Sequence, residues 1–275
     1  MTTPWMPTAE AAPRVVAIGD LHGDYAKTVE VLRLAGLVDK DAEWIGGDSI
    51  LVQTGDYTDR GPDSKEIMDL LARLEAEAPA AGGQVHILLG NHEVMNLQGD
   101  WRYVAAGDIA DFGTTERRAE AFGPTGAYGK WLATKPIVKV VADTVFTHGG
   151  VSPRWAATGV DHINQVASDA LFAAPHGVLG PDGPVWYRGF VVEAEDQVCG
   201  ELGQSLAAIG ASRMVVGHTT RRDGKIESRC DGRLHVIDVG ISSAYGGNLA
   251  AWEMTNGDAR ALYPGGPVDL EDPPR

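Results

Sequence analysis

Hydrophobic residues enter this chain as short unbroken runs, each closed by glycine and a polar residue, with stretches of helical spacing between them. The first run, residues 15–19, predicts a buried strand ending in Gly-Asp. Residues 25–35 carry Val29, Leu32 and Leu34 at helical spacing and stop at Gly36, a C-terminal cap signal. A second run, 50–55, again ends in Gly-Asp. Ser64 then reads as the N-cap of a helix through Ala78, with Ile67, Leu70, Leu71 and Leu74 on one face. Gly82-Gly83 turns the chain into a third strand, 85–89, closed by Gly-Asn-His-Glu. Three strand–helix units in succession predict βαβ units, a sheet that starts parallel, and right-handed crossovers.

The pattern is less regular afterwards. Residues 96–135, rich in Ala and Gly with scattered aromatics, read as a helical, cap-like insertion. Residues 137–141 and 145–147 read as a hairpin running into His148-Gly149-Gly150. Helices are expected over 162–172 and 202–209, separated by a Gly/Pro loop at 175–184. A strand over 214–217 ends in His218. Residues 226–230 and 234–239 read as an antiparallel pair across Asp231-Gly232, and 249–254 as the last strand. Residues 1–13 read as a flexible arm, 14–263 as one α/β domain, and 264–275 as a flexible tail.

Charge narrows the partners. With 38 Asp and Glu against 23 Lys and Arg, the 275-residue chain carries −15, which argues against docking to nucleic acid or an anionic membrane. No apolar run reaches the 18 residues of a membrane span. Cys199 and Cys230 are too few for a secreted-type disulfide framework. The expected compartment is therefore the cytoplasm, or the periplasm if a leader has been removed.

The chemistry lies at the strand ends. Asp20 and His22, Asp56, Asn91 and His92, His148, and His218 each follow a predicted strand, where loops of an α/β sheet converge on one crevice. Oxygen and imidazole donors without thiolate suit Mn, Fe, Zn, Co or Ni in a reactive site. A lone Gly-Asp would be only a turn or a cap, but five such elements in one order are not explained by turns. His86, His162, His176 and His235 stand outside the pattern and read as surface or core residues.

These blocks carry a resemblance. Gly19-Asp20-Leu21-His22-Gly23, Gly55-Asp56-Tyr57-Thr58-Asp59-Arg60-Gly61, Gly90-Asn91-His92-Glu93, His148-Gly149-Gly150 and Gly217-His218 resemble the five signatures of the calcineurin-like metallophosphoesterases. Asp59-Arg60-Gly61 resembles the phosphoprotein phosphatase branch, and residues 90–104 resemble its bacterial, Shewanella-like members. The resemblance implies a two-sheet β-sandwich flanked by helices (αββα). It implies a dinuclear site in which Asp20, His22 and Asp56 hold one divalent or trivalent ion. Asp56, Asn91, His148 and His218 would hold the other, with manganese the first expectation. Two ions ~3.5–4 Å apart can acidify a bridging water for direct in-line attack on phosphorus.

Further roles follow from the same resemblance. His92 would be the general acid, oriented by Asp59. Arg60 and Arg188 would grip the phosphoryl oxygens through their planar forks, with Arg221 and Arg222 as competitors of Arg188. Glu93 is either a supporting residue of the site or an ordinary helix-start glutamate. Tyr245 either approaches the site or packs. Trp101, Trp131, Trp155 and Trp186 read first as packing, with Trp186, beside Arg188, the one alternative candidate for substrate contact. Gly217-His218-Thr219-Thr220 lacks the second histidine of Gly-His-x-His diesterases, which favours monoesters. The expected activity is a protein phosphatase, with phosphotyrosine ahead of phosphoserine or phosphothreonine. Hydrolysis of a dinucleoside polyphosphate or small phosphoester is the alternative.

Overall fold

The computed structural model describes residues 13–173 and 177–274; residues 1–12 of the expected arm and His176 lie outside them. Two mixed sheets face each other. The first contains β1 (Val15–Ile18), β2 (Ile50–Gln53), β3 (Gln84–Ile87), β9 (Ala251–Thr255), β10 (Asp258–Tyr263) and β11 (Gly266–Asp269), in the order β11-β10-β9-β1-β2-β3. The second contains β4 (Val138–Val141), β5 (Thr144–Thr147), β6 (Arg213–Val216), β7 (Glu227–Arg229) and β8 (Leu234–Val236), in the order β4-β5-β6-β8-β7. Strands β1, β2 and β3 run parallel to one another, as do β5, β6 and β8. Every residue of β1, β2, β5 and β6 is buried, as expected of strands covered on both faces.

Helices fill the connections: α1 (Tyr25–Leu34), α2 (Ser64–Glu77), α3 (Asn91–Leu97), α4 (Ala106–Asp111), α5 (Thr115–Phe122), α6 (Ala127–Leu132), α7 (Pro153–Ala156), α8 (Val160–Ala170), α9 (Gly189–Val192) and α10 (Glu195–Ile209). The four apolar residues that sequence spacing put on one face of α2 are all buried. Each contributes about 1.5–3 kcal/mol by leaving water. The α/β sandwich with flanking helices is thus the observed fold.

Three local expectations need correction. Asp63, not Ser64, is the N-cap of α2; Ser64 Oγ instead accepts the Asp59 N–H at 3.1 Å. Helix α10 starts seven residues before the apolar spacing becomes visible, because its first turns hold Glu195, Asp196 and Gln197 rather than hydrophobic residues. The chain also does not end in a loose tail at Pro264. Asn256 and Gly257, both at positive φ, turn β9 into β10, and β11 then pairs with β10. Asn-Gly suits a two-residue hairpin turn, so this signal was present in the sequence.

The two cysteines are joined: Cys199 on α10 and Cys230 after β7 form a disulfide with Cα atoms 5.4 Å apart. No helix among the described residues is long and apolar enough to cross a membrane. His235 behaves as a satisfied core histidine. Its Nε2 donates to the Glu271 carbonyl and its Nδ1 accepts the Trp252 indole N–H.

Candidate metal centre

The parallel strands set the site. The chain leaves β1 through Asp20 and His22, β2 through Asp56, β3 through Asn91 and His92, β5 through His148, and β6 through His218. All seven side chains are buried or nearly so. Tight turns are needed to bring so many loops together. His22, Asp56, Asp59, Arg60 and His218 all sit at φ between +44° and +69°, a region that non-glycine residues occupy only when their surroundings enforce it. The loops also touch backbone to backbone. A Cβ on Gly90 would lie 2.1 Å from Asp56 Oδ1, so only glycine fits there.

Asp56 Oδ2 is the meeting point. It lies 3.8 Å from His22 Nε2, 3.1 Å from His148 Nε2 and 3.9 Å from His92 Nε2. Asp20 Oδ2 lies 3.8 Å from His22 Nε2. The donor atoms of His22, Asp56 and His92 fall within 4.8 Å of one another, and so do those of Asp56, His148 and His218. Asn91 Oδ1 is 3.1 Å from His148 Nε2.

Proton positions show whether this donor set fits cations. A carbonyl only accepts, so the ring nitrogen facing one carries the hydrogen. His22 Nδ1 faces the Thr58 carbonyl, His148 Nδ1 that of Thr54, and His218 Nε2 that of Trp186. A ring that is neutral keeps its lone pair on the other nitrogen, and for His148 that nitrogen faces two oxygen acceptors, Asp56 Oδ2 and Asn91 Oδ1; a cation among the three satisfies them all. Burial pushes the His22 pKa down to about 4 and holds His218 well below its usual value, so both are neutral at pH 7. Asp20 is driven well above the usual carboxylate range by burial and by the facing carboxylates of Asp238 and Asp56. Cations relieve this crowding. The residues therefore fit a metal pair.

His92 differs from the other rings. Its Nδ1 lies 2.7 Å from Asp59 Oδ2, a bond in which the ring is the donor. Burial lowers its pKa, but Asp56 and the Asp59 bond outweigh this and raise it. Asp59 Oδ1 is in turn held by Asn96 Nδ2 at 2.9 Å, and that amide also donates to the His92 carbonyl.

A cavity of about 180 Å³ opens over these groups, lined among others by Arg60, Arg188, Tyr103, Trp186 and Tyr245. The Arg60 guanidinium lies 3.8 Å above the Tyr103 ring. Arg188 donates to the His218 carbonyl at 2.7 Å and to Thr219 Oγ1 at 3.0 Å. Arg221 points to Glu227 instead, at 3.1 Å, and neither it nor Arg222 lines this cavity. Tyr245 stacks on His22 with ring centroids 4.7 Å apart. Trp186 reaches the cavity; Trp131 packs on Tyr57, and Trp155 donates to the Asp182 carbonyl.

Glu93 decides between its two readings here. It is fully buried and clamps the second loop. Oε1 accepts the N–H groups of Tyr57 and Thr58 and the Thr58 hydroxyl, while Oε2 accepts those of Asp56 and Gly90, all at 2.8–3.0 Å. Glu93→Ala leaves four buried N–H groups unpaired, each worth about 1–3 kcal/mol. The variant is expected to lose at least about 3 kcal/mol in urea unfolding, and Glu93→Gln less because one carboxamide oxygen survives.

Asn96, Tyr103 and Asp238 were not singled out in the sequence. Asn96 follows His92 by one helical turn, a spacing that was legible. Asp238 follows β8 as the other acids follow their strands.

The calcineurin-like phosphoesterase family model matches residues 13–219. An uncharacterized Schizosaccharomyces pombe protein is 37% identical over 93% of this chain and 82% of its own length. Shewanella-like protein phosphatase 2 of Arabidopsis thaliana is 33% identical over 85% of this chain and 72% of its own. Among solved structures, a cold-active protein-tyrosine phosphatase of a psychrophilic Shewanella superposes with a TM-score of 0.82 at 28% identity. That match covers 94% of this chain and 81% of the other.

Proposed function

This chain belongs to the calcineurin-like phosphoesterase family and is a metal-dependent phosphatase of its Shewanella-like branch; from that premise we propose that it hydrolyses phosphotyrosine in proteins in preference to phosphoserine and phosphothreonine. One observation carries the reading. Donors for two cations, two arginines and a carboxylate-held histidine face one small cavity with aromatic walls. A mainly apolar cavity of about 460 Å³ adjoins it, lined by Val94, Met95, Leu179 and Pro181 together with Gln98, Asp100 and Arg102, and sharing Tyr103 and Trp186. An aryl ester finds apolar and aromatic contact there that a seryl ester is too short to make. The Shewanella neighbour is a protein-tyrosine phosphatase, which supports the same preference.

In this reading Asp20, His22 and Asp56 hold one ion, and Asp56, Asn91, His148 and His218 the other. The thiolate-free donor set suits Mn, Fe, Zn, Co or Ni, and manganese is proposed first among them because the resemblance points to it. When bound, the metal pair supplies Lewis acidity and an acidified water. The chain does the rest. Arg60 and Arg188 take the outer phosphoryl oxygens by charge-assisted hydrogen bonds. The His92 Nε2 proton passes to the departing oxygen, Asp59 fixes the ring through Nδ1, and Asn96 fixes Asp59. No side chain is needed as nucleophile, so hydrolysis is direct.

Arg188→Ala is expected to raise KM for phosphotyrosyl peptide about tenfold or more, while Arg221→Ala stays within about twofold. Steady-state kinetics on both variants checks the choice between them. The reading as a whole is tested with chelator-stripped protein, with and without Mn²⁺. Its substrates are p-nitrophenyl phosphate, bis-p-nitrophenyl phosphate, matched phosphopeptides and diadenosine tetraphosphate. Metal-dependent turnover, fastest on the tyrosyl peptide and slow on the diester, is expected. Preferred cleavage of the diester or the dinucleotide would overturn it.

A further inference from the structure

We propose that Cys199, Cys230 and Glu195 form, in the dithiol state, a separate site for one thiophilic divalent cation such as Zn²⁺. Glu195 opens α10 and Cys199 follows it by four residues, so both lie on the same face of the helix. Cys230 faces them from the end of β7. Cys230, Asp231 and Gly232 all sit at positive φ, at +55°, +55° and +74°, which makes the turn that brings Cys230 against the helix. The Cys230 backbone N–H donates to Glu195 Oε1, which holds the carboxylate against the Cys230 backbone and leaves Oε2 for a cation. The two sulfurs are bonded to each other here, and a Glu195 oxygen lies within 4.8 Å of both. None of the three lines the phosphatase cavity.

Two thiolates and one carboxylate are a three-protein-ligand set that zinc accepts, with water in the fourth position. Glu195 is exposed, Cys199 half-buried and Cys230 buried, so the open position faces solvent on the Glu195 side. The disulfide and the metal exclude each other. A dithiol reductant converts the S–S bond to two thiols and is itself oxidised to a disulfide; the cation then displaces two protons from the thiols to solvent. Sulfurs on one zinc stand about 3.8 Å apart, by tetrahedral geometry at the Zn–S distance. The 5.4 Å Cα separation allows this by rotation of the side chains. Either state clips α10 to the end of β7, so the same tether serves in oxidising and in reducing surroundings.

The test uses the full chain, reduced with a phosphine, desalted without air and titrated with Co²⁺. Only thiolate gives cobalt a near-ultraviolet charge-transfer band, and the donors at the phosphatase centre contain no sulfur. One equivalent of that band is expected in the reduced wild type, displaced by Zn²⁺, and none in the oxidised protein or in Cys199→Ser. Glu195→Gln should weaken cobalt binding at this band at least tenfold with p-nitrophenyl phosphate hydrolysis unchanged. No band in the reduced wild type, or equal affinity in Glu195→Gln, would overturn the proposal.

Discussion

Asp56→Asn is expected to be folded, to lose bound metal, and to hydrolyse p-nitrophenyl phosphate at least about 10³-fold more slowly than wild type. The substitution is nearly isosteric, and the contact that supports the fold survives it: a carboxamide oxygen can still accept the His92 N–H that Asp56 Oδ1 accepts at 3.0 Å. The other oxygen becomes an amide N–H₂. That group now faces His148 Nε2, which lies 3.1 Å from Asp56 Oδ2, and can donate to its lone pair. The position at which His22 and His148 converge thus changes from an anionic acceptor to a neutral donor, and both proposed ion sites lose the ligand they share. Metal content by plasma emission, measured beside the rate on the same sample, checks the coupling. Full metal occupancy with a normal rate would refute the shared-ligand role; full occupancy with a slow rate would restrict Asp56 to positioning.

Most of the residues that converge at the candidate site could be read from the sequence because they sit at strand ends. A short apolar run closed by glycine and a ligand-type residue is a local pattern, and β1, β2, β3, β5 and β6 each have one. The facing of the two sheets is not local, which is why only the family resemblance pointed to the sandwich. Glu93 shows the limit well. From the chain it could be a helix-start glutamate, since that position favours acids for electrostatic reasons alone. Only the return of residues 56–58 across α3 reveals that its two oxygens accept five hydrogen bonds. Arg188 and Arg221 are separated by the same kind of information. Both precede or follow plausible site residues, and the ion pair of Arg221 with Glu227 takes one of them away. The turn into β10 was legible as Asn256-Gly257, and residues 258–261 alternate exposed and buried; β11 was hidden, because its residues are mostly exposed and Gly265, Gly266 and Pro267 resemble an unstructured end until the pairing with β10 is seen. Tyr103 lies in a stretch without periodicity, and its place beneath Arg60 depends on the Arg60 N–H bonding its carbonyl at 3.0 Å.

His92→Asn is expected to keep its metals and lose about 10²–10⁴-fold in kcat on alkyl phosphates. The loss should shrink on p-nitrophenyl phosphate, whose leaving group departs without a proton. This dependence on leaving group separates a proton donor from a residue that merely shapes the cavity, because a shaping residue would slow both substrates alike. The pH profile gives an independent sign. Asp56 and the Asp59 hydrogen bond raise the His92 pKa above 6.5 against the effect of burial. The acid form is therefore held to higher pH than in a free imidazole and is lost as pH rises through that raised pKa, so kcat on alkyl phosphates falls on the alkaline side. Without His92 that limb disappears. Asp59→Asn removes the charge that holds Nδ1–H, so the limb should move to lower pH. Asn96→Ala acts one bond further away and should move it in the same direction by less, since Asn96 only orients Asp59 Oδ1. An alkaline limb that stays in place in His92→Asn would assign it to another group. A limb unmoved in Asp59→Asn would mean that the 2.7 Å bond orients the ring without tuning its proton.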